Sequence, residues 1–274
     1  MPGKILFCDL DGTLIAGGQA LSADNLEMLR DLRAGGVVVA LASGRSLYSL
    51  SKVVTREMPF DYAIFSTGVG IMDWHKQEIL LRRELSESQV HQALDILQKE
   101  QIDTMIQAAL PDNHHFQYRQ FAAEEESGTD FCRRIRLYQD FCRPLPPESW
   151  QGRASQLLAV LHPDDPRFLR ILPRLQDFSV IRATSPLDGH SIWLEIFAPG
   201  VSKSDAASWL SGKLPNPPVT YALGNDHNDL DLLEWAQYSL IAPDAPAELQ
   251  EKFTVLNAEP ACFLRQAAKT WQLP

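Results

Sequence analysis

Asp9 and Asp11 stand two residues apart in Asp9-Leu10-Asp11-Gly12-Thr13, directly after the apolar run Ile5-Leu6-Phe7-Cys8. Two carboxylates at the end of a buried strand can divide one reaction between them. One can attack phosphorus and form an aspartyl phosphate. The other can protonate the departing oxygen and afterwards take a proton from water. Gly12 lets the chain turn without steric cost. The same pentapeptide also reads as a plain acidic turn, since Asp and Gly are frequent turn residues.

Three further segments favour the chemical reading. Ser43-Gly44-Arg45 follows the run Val37 to Ala42. Its hydroxyl and turn amides can hold a phosphate oxygen, and Arg45 can meet a substrate anion. Lys203 opens a helix in Gly200-Val201-Ser202-Lys203-Ser204, where an ammonium can neutralise charge growing on a phosphoryl group. Taken by itself, Lys203 reads as a solvated surface lysine. Gly224-Asn225-Asp226-His227-Asn228-Asp229 follows the run Val219 to Leu223 and is dense in hard oxygen donors, which suits Mg2+. Such a cation would shield the repulsion between a carboxylate and a phosphate dianion. A calcium loop is the rival reading, but the cluster lacks the spaced ligands of an EF-hand.

These residues need a scaffold that brings strand ends together. Ile5 to Cys8, Val37 to Ala42 and Tyr62 to Phe65 read as strands. Between them lie a helix capped by Ser22, carrying Leu26, Leu29 and Leu32, and a second helix over Leu47 to Val54. That order predicts a parallel sheet with helices on its faces. The pattern then changes. Ser86 and Gln89 form a capping box ahead of Val90, Ala93, Leu94 and Leu97. Short strands follow near 104–108, 115–118, 157–161, 180 and 192–197, with helices near 124–141 and 167–175 and a turn at Pro144-Leu145-Pro146-Pro147. The β-α-β pattern returns after Lys203. The expected architecture is an α/β parallel core, residues 1–82 and 198–274, split by an α+β domain at 83–197.

Composition agrees with a folded enzyme. The 274 residues leave room for about two domains, and 45% hydrophobic content fills the core of each. A formal net charge of −10 argues against a general nucleic-acid binder, yet allows an anionic substrate where positive charge is local. Cys8, Cys132, Cys142 and Cys262 show no zinc-ligand spacing, and Cys8 reads as a core residue. The first residues are too short and too charged for a signal peptide, and no stretch reaches the ~20 apolar residues of a membrane span. A soluble, cytoplasmic protein is expected, with no nucleic-acid or membrane partner. Its oligomeric state is left open.

Taken together, the four segments resemble the haloacid dehalogenase superfamily of phosphohydrolases. Asp9-x-Asp11-Gly12-Thr13 is similar to its first motif, Ser43 to the second, Lys203 to the third, and Gly224 to Asp229 to the fourth. The resemblance implies a Rossmann-like core with Asp9 as nucleophile and metal ligand. It makes Asp11 the general acid/base, with its main-chain carbonyl on the metal. Ser43, Gly44 and Lys203, with Thr13 and Asn228, would bind the phosphoryl group. The insertion resembles the large α/β cap of the Cof-like and sucrose-phosphatase-like branch, as does Thr67-Gly68-Val69-Gly70-Ile71-Met72-Asp73. That branch implies a sugar phosphate or a related small phosphate monoester as substrate.

The chain departs from the family in having Asn225 where a metal-binding aspartate is usual. An amide oxygen still coordinates Mg2+, but without a formal charge. Asn225 and Asp226 are therefore both candidate ligands, with Asp229 beside them. Within the cap, whose hinges are expected near Arg82-Arg83 and Pro199-Gly200, His114, His115, Arg182 and His190 are candidate substrate contacts. Glu195 reads as structural, and Glu124-Glu125-Glu126 as a solvated helix end. A phosphomutase of the same superfamily, a signalling receiver domain and a non-catalytic phosphate-binding or regulatory protein are the alternative readings.

Overall fold

Val37-Val38-Val39-Ala40-Leu41-Ala42 is apolar at consecutive positions because it forms a strand in the interior of a parallel sheet, where both faces are covered. The computed structural model describes residues 3–16, 20–123, 129–146, 150–185 and 187–274. The chain divides into two compact units, Met1–Arg82 with Ser202–Pro274, and Arg83–Val201.

Along the first unit run β1 (Lys4–Cys8), β2 (Val37–Ala42), β3 (Tyr62–Phe65), β4 (Gly70–Asp73) and β5 (Glu78–Arg82). The second unit holds β6 (Thr104–Ala108), β7 (Phe116–Arg119), β8 (Cys142–Pro144), β9 (Ala154–Leu161), β10 (Ser179–Thr184) and β11 (Ile192–Phe197). The chain returns to the first unit with β12 (Val219–Gly224) and β13 (Tyr238–Ile241).

Among the described residues the first unit has one seven-stranded sheet, in the order β13-β12-β1-β2-β3-β4-β5. The five strands from β13 to β3 are parallel, and β4 and β5 add antiparallel at one edge. From the central β1 the chain moves outward through β2 and β3, then returns to the other flank at β12. Ligands in open α/β sheets bind at such a reversal, beyond the carboxyl ends of the strands.

The helix Ala23–Ala34 is capped by Ser22, whose hydroxyl accepts from Asn25 N at 3.0 Å. Asn25, rather than Leu26, joins Met28, Leu29 and Leu32 on the buried face. Its amide nitrogen donates to Leu14 O at 3.1 Å and to Pro260 O at 2.7 Å, which ties this helix to the loop after β1. The second expected helix is shorter, Leu47–Leu50. Beyond it Val53 N turns back to Leu50 O at 3.0 Å, and the β-branched run Val53-Val54-Thr55 favours leaving the helix.

The second unit carries a six-stranded sheet in the order β10-β11-β9-β6-β7-β8, antiparallel apart from the β7–β8 pair. The helix Glu87–Lys99 has the complete Ser86/Gln89 capping box and buries Val90, Ala93, Leu94, Ile96 and Leu97. Of the helix expected over 124–141, the described residues hold Phe131–Leu137. It stops because Phe141 N closes a turn on Tyr138 O at 2.8 Å and the chain enters β8. The run Glu124-Glu125-Glu126 and Pro147 of the expected turn lie outside the described residues. Among the described residues no helix is long and apolar enough to cross a membrane.

Candidate active site

β1 and β12 lie side by side in parallel register, with Cys8 opposite Leu223. Asp9 N extends that ladder by donating to Leu223 O at 3.0 Å, so Asp9 is the first residue off the strand while its backbone is still held. The loop after it is tight. Gly12 N donates to Ile15 O at 2.8 Å, Leu14 N to Leu10 O at 3.0 Å, and Leu10, Leu14 and Ile15 are buried beneath the turn. Gly12 has φ +82°, and a Cβ there would lie 2.1 Å from Asn225 Nδ2. Glycine is therefore needed twice over, for its conformation and for the approach of the loop after β12. Thr13 Oγ1 joins the same two loops by donating to Asn225 Oδ1 at 3.3 Å.

Lys203 is the centre of the site. Its side chain is 0% exposed, and Nζ donates to Asp9 Oδ1 at 2.8 Å and to Asp229 Oδ1 at 2.5 Å. The surface lysine read from this position alone is thus a buried cation between two carboxylates. Three local features fix it there. Ser202 caps the helix Lys203–Ser211 by accepting from Asp205 N, and Asp231 Oδ2 accepts from Ser204 N at 2.9 Å. Gly68, at φ +101°, allows its turn to approach the same helix start. A Cβ on it would meet Ser202 O at 2.2 Å.

Asp229 is also fully buried, and both its oxygens are engaged. Oδ1 holds Lys203, while Oδ2 accepts from Asn225 N at 2.9 Å and Asp226 N at 3.2 Å. The Asp226 carboxylate closes a reciprocal capping box with Asp229 at the start of the 3-10 turn His227–Asp229. Asp229 therefore shapes the fourth-motif loop and holds the lysine. Gly224 admits this arrangement, because a Cβ there would lie 2.6 Å from Asp229 Cβ and 2.8 Å from its Oδ2. Gly224→Ala is expected to lower the unfolding free energy by about 2 kcal/mol. Urea unfolding checks this, and an unchanged midpoint would contradict the tight approach.

One ammonium serving two buried carboxylates leaves a net negative charge. Burial, then Asp229, push the Asp9 carboxyl up to about 7 in spite of Lys203. Burial pulls the Lys203 ammonium down, but Asp229 and Asp9 outweigh it and hold the group charged far above the ordinary lysine range.

Ser43 and Gly44 lie at the end of β2. Ser43 N donates to Ile64 O at 2.9 Å, and its Oγ accepts from Arg45 N at 3.2 Å. Gly44 sits between Thr67 and Asn228, with Thr67 Oγ1 3.4 Å and Asn228 Nδ2 3.5 Å from where its Cβ would be. The positive φ values of Ser66 (49°) and Thr67 (56°) fold this turn back on Ser43, whose carbonyl accepts from Thr67 N at 3.1 Å. Arg45 grips Asp11, with Nε to Oδ2 and Nη2 to Oδ1 both at 2.7 Å.

The core candidates therefore converge. Asp9, Lys203 and Asp229 form one cluster, Thr13 meets Asn225, Arg45 meets Asp11, and Gly44 lies beside Asn228. Sequence reading missed Asp231, whose partner Ser204 stands 27 residues away, Ser202, which caps the helix of Lys203, and Ser49, whose hydroxyl accepts from Arg45 Nη1 at 3.1 Å. The capping position of Ser202 before Lys203 was the one visible signal.

The four cap candidates do not form one group. His114 and His115 pack with Phe141 in the β6–β7 loop, next to the start of β9. His190 lies in the β10–β11 turn, where its Nε2 is 3.3 Å from His162 Nε2 at the end of β9. The eight residues of β9 separate the two places, about 25 Å of extended chain. Arg182 is exposed on β10, on the opposite face from buried Ala183. A single small ligand cannot engage all four. Glu195 is buried in β11, as expected of a structural residue.

A family model described as haloacid dehalogenase-like hydrolase matches residues 6–258. No curated protein matches the sequence. Solved structures match its fold along nearly the whole chain. A phosphatase of the haloalkanoate (HAD) enzyme superfamily from Bacteroides thetaiotaomicron has TM-score 0.78 at 15% identity, covering 100% of this chain and 96% of that one. A sugar phosphatase of HAD subclass IIB has TM-score 0.74 at 17% identity, covering 99% and 100%. A haloacid dehalogenase-like hydrolase from B. subtilis has TM-score 0.71 at 16% identity, covering 97% and 99%.

Proposed function

The chain belongs to the haloacid dehalogenase-like hydrolases, and on that premise we propose that it is a Mg2+-dependent phosphatase of small phosphate monoesters, with sugar phosphates the favoured class. One observation carries the reading. A fully buried lysine is held against Asp9 and Asp229 at the topological reversal of the sheet. A buried charge of this kind is costly to fold, which makes a functional reason for keeping it there.

In the proposed reaction an Asp9 oxygen bonds to phosphorus as the ester P–O bond breaks. The electron pair stays on the leaving oxygen, which takes a proton from Asp11. Asp11 then removes a proton from water as the water oxygen bonds to phosphorus. The aspartyl P–O bond breaks and Asp9 is restored. Lys203, held charged, lies beside the nucleophile and offsets charge on the phosphoryl oxygens. Ser43, the Gly44 amide, Thr13 and Asn228 would orient that group. The second unit, Arg83–Val201, would select the ester, and the enzyme would act as a soluble cytoplasmic protein.

The donor chemistry fits Mg2+. Among the described residues no three His, Cys, Asp or Glu side chains are grouped to hold a metal by themselves. Magnesium does not need such a cage, since it keeps waters and is bound through one or two carboxylates together with substrate phosphate. Asp9, the Asp11 carbonyl and the Asn225 amide oxygen would hold it, with Asp226 and Asp229 as the other candidate donors of the same loop. When bound, the ion would favour the Asp9 anion and shield its approach to the phosphate dianion. Asn225→Asp adds a charge facing the first loop and is expected to tighten Mg2+ binding about tenfold. Isothermal titration reads the change, and an unchanged affinity would remove Asn225 from the ligand set.

The proposal is tested by measuring phosphate release from a panel of sugar and polyol phosphates with Mg2+ and with EDTA. Release that stops with EDTA supports it. A chain that releases no phosphate from any member contradicts it.

A further inference from the structure

Arg45 follows the second motif, where a guanidinium would be read as an arm for the substrate. Its nitrogens are instead spent within the protein. Nε and Nη2 take both oxygens of Asp11 at 2.7 Å each, and Nη1 donates to Ser49 O at 3.3 Å and Ser49 Oγ at 3.1 Å. The backbone of Arg45 is fixed as well, with its N on Ser43 Oγ at 3.2 Å and its O accepting from Ser66 N at 2.9 Å. A guanidinium fork meeting a carboxylate at two points sets the plane of that carboxylate, which a single-point ammonium cannot do. Asp11 needs such help. Its side chain is 40% exposed, and the terminal torsion of an aspartate is intrinsically broad.

We propose that Arg45 is a positioning residue for Asp11. It holds the carboxylate in the plane from which a proton passes to the leaving oxygen, and it does not bind the transferred phosphoryl group. The inference rests on reading Asp11 as the acid/base. Each carboxylate oxygen has a second lone pair, so the grip steers Asp11 without closing it to a proton. Ser49, from the short helix after the motif, stops the guanidinium from swinging towards an incoming anion.

The test compares two esters of similar shape whose leaving groups differ in their need for a proton, phenyl phosphate and p-nitrophenyl phosphate. The readout is kcat/KM, which reports up to loss of the leaving group. Arg45→Gln is expected to lower kcat/KM for phenyl phosphate roughly 100-fold, the usual scale of general acid catalysis. For p-nitrophenyl phosphate, whose phenolate leaves without help, the loss is expected to stay within about fivefold. Arg45→Lys, which keeps the charge but not the fork, should show the same contrast at smaller size. It also supplies the reading if Arg45→Gln proves unfolded by urea titration. In an Asp11→Asn background, Arg45→Gln should cost less than about threefold with either ester, because the two residues act as one unit.

Equal losses with the two esters would overturn the proposal, assigning Arg45 to the phosphoryl group or to the scaffold. Unchanged kinetics would overturn it too. Wild-type protein that releases phosphate from neither ester contradicts the phosphatase reading itself.

Discussion

Asp9→Asn is expected to abolish phosphate release, lowering turnover by at least ~10⁴-fold, while the protein stays folded. The amide matches the carboxylate in shape, so the Leu223 ladder contact and the approach of Lys203 survive. What is lost is an oxygen able to form an acyl phosphate. The charge balance makes the fold prediction sharper. Asp9 as an anion is disfavoured by burial and by Asp229, which is why its carboxyl is pushed up to about 7. Replacing that anion by a neutral amide leaves Lys203 paired with Asp229 alone, a balanced ion pair. At pH 8 the variant should therefore be as stable as the parent or more so, the trade of stability for activity common at active sites. Urea unfolding beside a phosphate-release assay measures both. Retained turnover would remove Asp9 from its role, and a large loss of stability would contradict the charge argument.

Lys203→Met is expected to have the largest effect on stability, a loss of about 3–5 kcal/mol. The side chains are similar in length, so packing changes little. Without the ammonium, however, Asp9 and Asp229 face each other without a cation in a site where Asp229 is 0% exposed. Coupling to Asp229→Asn tests the cause, since neutralising the second carboxylate should restore part of the loss. Phosphate release should fail in both variants. A Lys203→Met protein with the parent's urea midpoint would mean that the buried triad is not what holds the two loops together.

Much of the core site was legible because strand-end motifs and caps are local. The apolar runs at β1, β2 and β3 and the capping box at Ser86 came directly from residue order. Lys203 was not legible by itself, since its partners stand 194 and 26 residues away and only the fold makes it a buried ion. Arg45 and Asp11 likewise meet across 34 residues, a pairing that residue order alone does not reveal. The β4–β5 hairpin was not read as strands, although β4 lies within the segment Thr67 to Asp73. β5 is an edge strand that alternates between exposed and half-buried residues, so its hydrophobic signal is weak. β13 and the helix Phe263–Trp271 went unread, although the helix buries Phe263, Leu264, Ala267 and Ala268. The cap candidates were chosen by residue type, and type says nothing about which end of a strand a loop occupies.

The proposed reaction passes through a covalent bond between phosphorus and the Asp9 carboxylate. Mixing the protein with Mg2+ and p-nitrophenyl phosphate, quenching in acid within milliseconds and mapping the peptides by mass spectrometry tests that bond directly. A phosphate adduct on Asp9, absent in Asp9→Asn and absent without Mg2+, is the expected result. Phosphate released at the parent's full rate with the adduct on another residue, or with none at the earliest times, would contradict it.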